Sequence, residues 1–339
     1  MSQLFPDPLL HEEGLPCGAS IWLQNLGVGE RRSLSPVPGD ASARRYWRLG
    51  QNLLLAHVPD GEEILPFLRV AYRFARVGLP VPRIHAASVA HGFMLLEDLG
   101  REDLKSCLDN ADNADVQLHK AMELILKLQT AGRGCNTRPF FSAYGADLLH
   151  REMQLFPHWY LRCHLGLKID LSVQGMLEGL FAGLADSALR QPKVWVHRDF
   201  HARNLLFLPS RDALAMIDFQ DAVSGPWTYD LASLLWDRYW DWGKGRRDTW
   251  ISWFHNGLER LGAKPPAPSD FQLQVWRMAL QRNLKILGIF SRLAYRDGRT
   301  SYLDLLPRFW GYLMEGLEND PQWDGLQKRF LAWAPSGRP

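Results

Sequence analysis

The decisive stretch of this sequence reads His197-Arg198-Asp199-Phe200-His201-Ala202-Arg203-Asn204, and it is followed after a short apolar run by Ile217-Asp218-Phe219. An Asp with an Asn five positions later, and then a second Asp, is the arrangement that phosphoryl transfer needs. One carboxylate orients the acceptor hydroxyl and takes its proton, while an amide oxygen and the second carboxylate hold magnesium on the nucleotide phosphates. We interpret Asp199 as the catalytic base, and Asn204 and Asp218 as the metal ligands.

The sequence around these residues predicts strands that bring them into position. Residues 194–196 read as a short buried strand that leads into the turn, and residues 205–208 and 214–217 read as two apolar strands of a hairpin. Such a hairpin puts Asn204 at the start of one strand and Asp218 at the end of the other. The two metal ligands can therefore converge although they are distant in the sequence.

The same turn resembles the catalytic loop of the aminoglycoside phosphotransferase and choline kinase superfamily, whose small-molecule kinases share the protein-kinase fold. The second histidine, His201, is typical of that superfamily, whereas Arg198 stands where a Gly is more usual. Residues 39–46, 93–100 and 281–285 resemble a narrower group, the bacterial anomeric sugar kinases of peptidoglycan recycling. Those enzymes phosphorylate N-acetylmuramate and N-acetylglucosamine at the anomeric hydroxyl. The resemblance runs from about Leu34 to about Leu317.

The resemblance implies an α+β, bilobal, protein-kinase-like fold. We expect a small, mainly antiparallel β lobe over residues 1–96 that covers the nucleotide, and a larger, mainly helical lobe over residues 97–339 that carries the catalytic and substrate-binding residues. A chain of 339 residues is long enough for two such lobes. Apolar residues at helical spacing predict helices over residues 116–128, 171–189, 250–261 and 271–295.

Composition narrows the setting in which the protein acts. A formal net charge of +2 with mixed signs indicates no nucleic-acid partner, and the absence of an eighteen-residue apolar run indicates no membrane span. The first residues carry acids and Pro where a signal peptide has a basic and then an apolar stretch. We expect a cytoplasmic monomer that binds a small-molecule sugar and a nucleotide. The cysteines, read as free thiols, are scattered without paired spacing: Cys17, Cys107, Cys135 and Cys163.

Two segments of the amino-terminal region are interpreted as nucleotide-binding. The small polar loop at residues 39–43 lets backbone amides approach phosphate oxygens, and we assign Ser42, Ala43 and Arg44 to this task. By resemblance to kinases, the Glu97 carbonyl and the Leu99 amide hydrogen-bond the adenine edge.

One feature that kinases share is missing from this region. The strand expected over residues 52–58 contains no Lys to hold the α- and β-phosphates. Either Arg44, Arg45 or Arg48 supplies the positive charge, or magnesium and the loop amides suffice.

The substrate-binding residues are inferred from charge in the carboxy-terminal half. Basic and polar residues of the helix expected over residues 271–295 lie at spacings of three, four and seven, which can place several of them on one face. We interpret Arg282 and Lys285, together with His201, as substrate-binding. A guanidinium binds a carboxylate, such as that of the lactyl group of N-acetylmuramate, by paired hydrogen bonds. A solvated basic face is the alternative. Asp230 is read as a structural residue, an N-cap that ties down the catalytic loop.

Other functions stay open at this level. The acceptor of the same superfamily chemistry could be choline, homoserine or an aminoglycoside, although a polycationic aminoglycoside calls for acids rather than bases. The missing strand Lys leaves a catalytically silent nucleotide-binding protein as a further alternative. The sequence does not distinguish ATP from GTP as the donor.

Overall fold

The computed structural model of the chain describes residues 15–28, 34–37, 44–50, 52–58, 64–108, 114–133 and 140–335. The chain divides into two compact units. The first comprises Met1–Arg101 with Ala215–Gln220, and the second comprises Glu102–Leu214 with Asp221–Pro339. Sequence analysis predicted a boundary between residues 96 and 97. The first unit extends to Arg101 and also includes Ala215–Gln220, which the sequence did not indicate.

The first unit is built on a five-stranded antiparallel sheet with the strand order β1-β2-β3-β5-β4. Buried residues of neighbouring strands are paired directly, because Trp47 lies opposite Leu55 and Leu55 lies opposite Leu95. The strands have the bounds β1 Leu34–Val37, β2 Arg45–Leu49, β3 Leu53–His57, β4 Ile84–Ser88 and β5 Phe93–Glu97.

Two α-helices accompany the sheet in the described part of the first unit. Helix α1, Ala19–Asn25, packs Ala19 and Leu23 into the core cluster that contains Trp47. Helix α2, Ile64–Arg76, connects β3 to β4 and buries a stripe of apolar residues at three- and four-residue spacing. That stripe consists of Ile64, Phe67, Val70, Ala71 and Phe74.

The second unit is mainly helical. Its helices are α3 Leu104–Leu108, α4 Ala114–Arg133, α5 Ala146–Met153, α6 Leu171–Arg190, α7 Tyr229–Leu235, α8 Lys244–Arg260, α9 Pro268–Tyr295, α10 Leu306–Glu318 and α11 Leu326–Phe330, with a π-helix at Phe156–His164. The helices that the sequence predicted over 116–128, 171–189, 250–261 and 271–295 are confirmed as parts of α4, α6, α8 and α9.

Helix α9 packs against α5, the π-helix, α6, α7, α8 and α10, and is buried along most of its length. Gly288 lets it approach the π-helix closely, because a Cβ at this position would lie 2.3 Å from the backbone carbon of Leu155. Polar residues in the middle of α9 are buried as well, and two of them bind other elements: Gln281 Nε2 donates to the Tyr144 hydroxyl and Arg282 Nη2 to Oγ of Ser233.

The strands predicted around the catalytic turn are confirmed. Strand β6, Lys193–Val196, pairs antiparallel with β9, Val223–Pro226, and leads directly into the turn. Strands β7, Leu205–Leu208, and β8, Ala213–Met216, form a second two-stranded sheet. Within the described ranges, no helix combines the length and apolar character that crossing a membrane requires.

Candidate active site

The turn after β6 is held by a buried carboxylate of helix α7. Asp230 accepts the backbone N–H groups of His197 and Arg198, at 2.7 and 3.1 Å, and is only 2 % exposed. The predicted structural role of Asp230, to bind the catalytic loop, is therefore confirmed. The N-cap assignment is wrong, because α7 begins at Tyr229 and Asp230 lies inside its first turn. The carboxylate oxygens bind the catalytic turn instead of the N–H groups of their own helix.

Asp230 is expected to make stability depend on pH. Burial raises the pKa of Asp230 from its ordinary value of 3.8 to about 7, although the N–H groups of His197 and Arg198 oppose the shift. Between these two values the native protein holds the proton more tightly than the unfolded chain does. The contribution of Asp230 to the free energy of unfolding therefore falls as pH rises through this window. Asp230→Asn has no titrating group at this position and serves as the reference. The free energy of unfolding of the wild type, minus that of this variant, should fall by about 2–3 kcal/mol between about pH 5 and pH 8.

Urea unfolding of both proteins at these two pH values measures the difference. Parallel pH profiles for the wild type and Asp230→Asn would contradict the prediction, because they would show that Asp230 is already ionised in the native protein at the lower pH.

Asp199, the predicted base, is surrounded by positive charge contributed by the second unit. Loss of hydration raises the pKa of the Asp199 carboxyl. His201 and His197, followed by Arg282 and Lys285, lower that pKa by more, and the net pKa lies below its ordinary value. The carboxylate is consequently ionised near neutral pH, as a group that accepts a hydroxyl proton must be.

Asn204, a predicted metal ligand, is fixed to the same turn. Its Nδ2 donates to the backbone oxygen of Asp199 at 2.9 Å, and its backbone N–H donates to the His201 carbonyl, also at 2.9 Å. The side chain is buried at the residue that immediately precedes β7. Because Nδ2 is engaged, the oxygen Oδ1 is the atom left to accept a bond or bind a cation.

His201 lies beside the Asp199 carboxylate. Its Nε2 is 3.5 Å from Oδ1 of Asp199, and its Nδ1 is buried without a hydrogen-bond partner in the described part of the chain. The ring also meets Tyr239 edge-on, with 5.5 Å between ring centroids. Asp237 holds this region together, because its carboxylate accepts the N–H groups of Ala202 and Tyr239. Sequence analysis missed Tyr239, although it follows α7 closely.

Arg282 and Lys285, the predicted substrate-binding residues, project from α9 and bind protein acceptors. Arg282 donates through Nη2 to Oγ of Ser233 at 2.7 Å. Lys285 donates through Nζ to Glu152 at 2.9 Å and to the hydroxyl of Tyr229 at 3.1 Å. These bonds leave one Lys285 N–H for another acceptor. Sequence analysis gave no indication of Glu152.

Asp218, the second predicted metal ligand, belongs to the first unit. The next residue, Phe219, is fully buried and packs on Phe67 and Phe74 of α2, at 4.9 and 5.7 Å between ring centroids. Asp218 has a left-handed backbone with φ of 61°, a conformation that Asp tolerates better than most residues. Its Oδ1 accepts a hydrogen bond from Gln220 Nε2 at 2.9 Å.

The structure distinguishes between the arginines left open by the missing strand Lys. Arg48 is bound to the segment after β5, 3.3 Å from Asp98 and donating to the Gly100 carbonyl at 2.7 Å. Arg44 instead reaches Asp218, with 4.0 Å between Nη1 and Oδ1, and its side chain is 11 % exposed. Of these two arginines, Arg44 is the one that lies beside a predicted metal ligand.

The other predicted nucleotide-binding residues are only partly described. Ser42 and Ala43 lie outside the described residues. Glu97 ends β5, and its side chain accepts the backbone N–H of Arg83 at 3.1 Å. The backbone N–H of Leu99 donates to no protein acceptor within the described ranges.

Asn204 of the second unit and Asp218 of the first each offer an oxygen atom of the kind that magnesium takes. The hydrogen bond of Asn204 to the turn uses Nδ2, so its amide oxygen Oδ1 is available to a cation. In the described part of the chain, Oδ2 of Asp218 has no protein donor. Carboxylate and amide oxygens are the ligands this hard cation takes, together with water and nucleotide phosphates.

The fold recurs in solved kinase structures of low sequence identity. ADP-bound aminoglycoside phosphotransferase APH(2'')-Ib matches with a TM-score of 0.61 and 13 % identity over 88 % of this chain and 98 % of its own. Choline kinase LicA from Streptococcus pneumoniae matches with a TM-score of 0.56 and 11 % identity over 87 % of this chain and 98 % of its own. The amino-terminal antiparallel sheet and the mainly helical remainder thus form a protein-kinase-like fold, as the sequence predicted.

Sequence comparison defines the family more closely. Residues 33–266 match the family described as "Phosphotransferase enzyme family", and the chain belongs to it. The N-acetylmuramate/N-acetylglucosamine kinase of Pseudomonas aeruginosa is 36 % identical over 90 % of this chain and 89 % of its own length. The kinase of the same name from Neisseria meningitidis is 33 % identical over 86 % of this chain and 88 % of its own. The predicted class of enzyme, a phosphotransferase, is confirmed.

Proposed function

We propose that the protein transfers the γ-phosphoryl group of ATP to the anomeric hydroxyl of N-acetylmuramate, N-acetylglucosamine or both, as a step of peptidoglycan recycling. The observation that carries the proposal is the 36 % identity, over 90 % of the chain, to a kinase named for these two sugars. The charges beside Asp199 agree with it. The basic side chains of Arg282 and Lys285 suit a neutral or anionic sugar better than a polycationic aminoglycoside.

In this proposal Asp199 acts on the acceptor hydroxyl. The carboxylate accepts a hydrogen bond from the anomeric O–H and orients its oxygen toward the γ-phosphorus. The oxygen–phosphorus bond forms as the bond to the leaving ADP oxygen breaks, and the hydroxyl proton passes to Asp199. His201 and Asn204 keep the base in place, His201 through the carboxylate and Asn204 through the backbone carbonyl.

Asn204 and Asp218 would hold magnesium through their side-chain oxygens. Held there, magnesium would supply positive charge that offsets the negative charge of the phosphates. Arg44 would add a fixed positive charge in place of the missing strand Lys, which its position beside Asp218 supports.

The nucleotide would be bound by backbone groups as well as by charge. We assign the amides near Ser42 and Ala43 to the phosphates, and the Glu97 carbonyl and Leu99 N–H to the adenine edge. The Leu99 N–H has no acceptor among the described residues and is compatible with the second assignment. The unpaired thiols of Cys17, Cys107 and Cys163 support a cytoplasmic setting for the reaction.

Phosphorus NMR of the product tests the proposal directly. Incubation with ATP, magnesium and N-acetylmuramate or N-acetylglucosamine should give a sugar phosphate whose phosphorus couples to the anomeric proton. Methyl N-acetylglucosaminide, in which that hydroxyl is blocked, is the matched control and should give no product.

A phosphate on any other hydroxyl, or turnover of the methyl glycoside, would contradict anomeric transfer. Turnover only of choline, homoserine or an aminoglycoside would replace the sugar with that acceptor. Nucleotide binding without turnover of any acceptor would point to a silent protein.

A further inference from the structure

Arg198 has a backbone conformation that its residue type disfavours. Its φ is 75°, in the left-handed region where an L side chain crowds the backbone. In the described part of the chain, the other non-glycine residues with positive φ are Asp212 and Asp218, and Asp tolerates this region comparatively well. A conformation of this kind persists only where the surrounding structure imposes it.

The side chain of Arg198 is anchored on a buried acid. Its Nη2 donates to Oε1 of Glu152 at 2.8 Å, and the two side chains are 23 % and 7 % exposed. Glu152 also accepts bonds from Lys285 Nζ and from the Tyr144 hydroxyl. Burial raises the pKa of Glu152, but Lys285, Tyr144 and Arg198 lower that pKa by more. The acid is consequently ionised, and Arg198 binds a carboxylate that is itself fixed in place.

Residue 198 is thus held through its backbone N–H, its carbonyl oxygen and its guanidinium, one residue before the proposed base. Asp230 accepts its backbone N–H at 3.1 Å, its carbonyl oxygen lies 3.5 Å from Nη1 of Arg282, and Glu152 binds its guanidinium. A change in the dihedral angles of residue 198 would displace the Asp199 carboxylate directly. Misplacement of a reacting group by about 1 Å can cost about a hundredfold in rate.

We propose that Arg198 is a positioning residue, and that its ion pair with Glu152 holds the turn in the left-handed conformation that aims Asp199 at the acceptor hydroxyl. This inference rests on the proposed role of Asp199. A glycine at this position would adopt the same φ without strain, but it would leave the turn without its anchor on α5.

Comparison of Arg198→Ala with Arg198→Gly separates strain from anchoring. Arg198→Ala loses the ion pair and keeps a Cβ at positive φ, so its Tm should fall by about 4 °C or more. Arg198→Gly removes the strain, so its Tm should recover most of this loss. For both variants kcat for the sugar should fall by about ten- to a hundredfold, with KM for ATP changed less than about twofold. If the role were only structural, glycine would restore kcat together with Tm.

Arg277→Ala is the matched control. Arg277 binds the buried Asp320 by two hydrogen bonds, and its side chain is 21 % exposed, close to the exposure of Arg198. Both carboxylates keep another partner when the arginine is removed. Asp320 still accepts the N–H of Gln322, and Glu152 still accepts a bond from Lys285. Arg277→Ala should lower Tm and leave kcat at the wild-type value.

Glu152→Gln tests the other side of the pair. It should lower kcat as the Arg198 variants do, and the double variant Arg198→Gly with Glu152→Gln should lose little more than the larger single loss. Fully additive losses, or wild-type kcat in Arg198→Gly, would overturn the positioning role.

The same assays separate this inference from the function on which it rests. Suppose that the wild type turns over the sugar, that Asp199→Asn does not, and that Arg198→Gly turns it over normally. That result would overturn only the role of Arg198. Absence of sugar turnover in the wild type would overturn the proposed function and this inference with it.

Discussion

Asp199→Asn is expected to lower kcat about a thousandfold while the affinity for nucleotide changes little. The amide keeps the size of the side chain but cannot take the hydroxyl proton, and general-base catalysis contributes about 10²–10⁴-fold. The basic side chains that lower the pKa of Asp199 keep its carboxylate ionised in the wild type, so the whole of this contribution is available near neutral pH. Steady-state kinetics with the sugar and calorimetry with the nucleotide measure the two effects separately.

Asp212→Asn is the matched control for this substitution. Asp212 lies in the β7–β8 connection, its side chain is 75 % exposed, and it pairs with Lys120. The same chemical change at this position should leave kcat unaffected, because an exposed ion pair contributes little. Near-normal kcat in Asp199→Asn would dismiss Asp199 as the base.

The catalytic turn could be predicted because its parts are contiguous in the chain. The spacing of Asp199 and Asn204, the apolar strands on either side and the hairpin are all local patterns, and the structure confirms the strands. The helices were predictable for the same reason, since burial of one face imposes a period on the sequence.

The residues that hold the turn were less predictable because tertiary packing assembles them. Glu152 lies 46 positions before Arg198 and 133 before Lys285, so no spacing rule connects the three. Tyr239 contacts His201 where Asp237 links the segment after α7 to the turn, by accepting the N–H groups of Ala202 and Tyr239.

At this turn, tertiary contacts override two local sequence preferences, one for an Asp at a helix N-cap and one for the backbone conformation of Arg. An Asp before an apolar run is typical of an N-cap, but two turn N–H groups needed a buried acceptor and Asp230 supplies it. The left-handed backbone of Arg198 could not be predicted either, because residue propensity at that position indicates the opposite. Local preferences that fail are expected where a site requires an unusual geometry.

Asp218→Ala is expected to abolish most of the magnesium-dependent part of nucleotide binding. Loss of residues that only support a metal ligand typically costs 10–100-fold in metal affinity, so loss of a direct carboxylate ligand should cost about a hundredfold or more. Nucleotide affinity measured without magnesium should change far less, because the variant then loses no bound metal. The substitution also removes a negative charge beside Arg44, which favours binding of a phosphate anion. Isothermal titration calorimetry with and without magnesium separates the two contributions.

Backbone strain must be separated from metal binding in this variant, and the chain offers the control. Asp212 also has a left-handed backbone, with φ of 45° against 61° at Asp218, and it is far more exposed. Alanine at either position should cost about 1 kcal/mol of stability, since both lose a residue that tolerates positive φ. Only Asp218→Ala should lose the magnesium dependence. Equal magnesium enhancement of nucleotide binding in Asp218→Ala and Asp212→Ala would show that Asp218 does not bind the metal, and that its left-handed conformation serves only to seat Phe219 against α2.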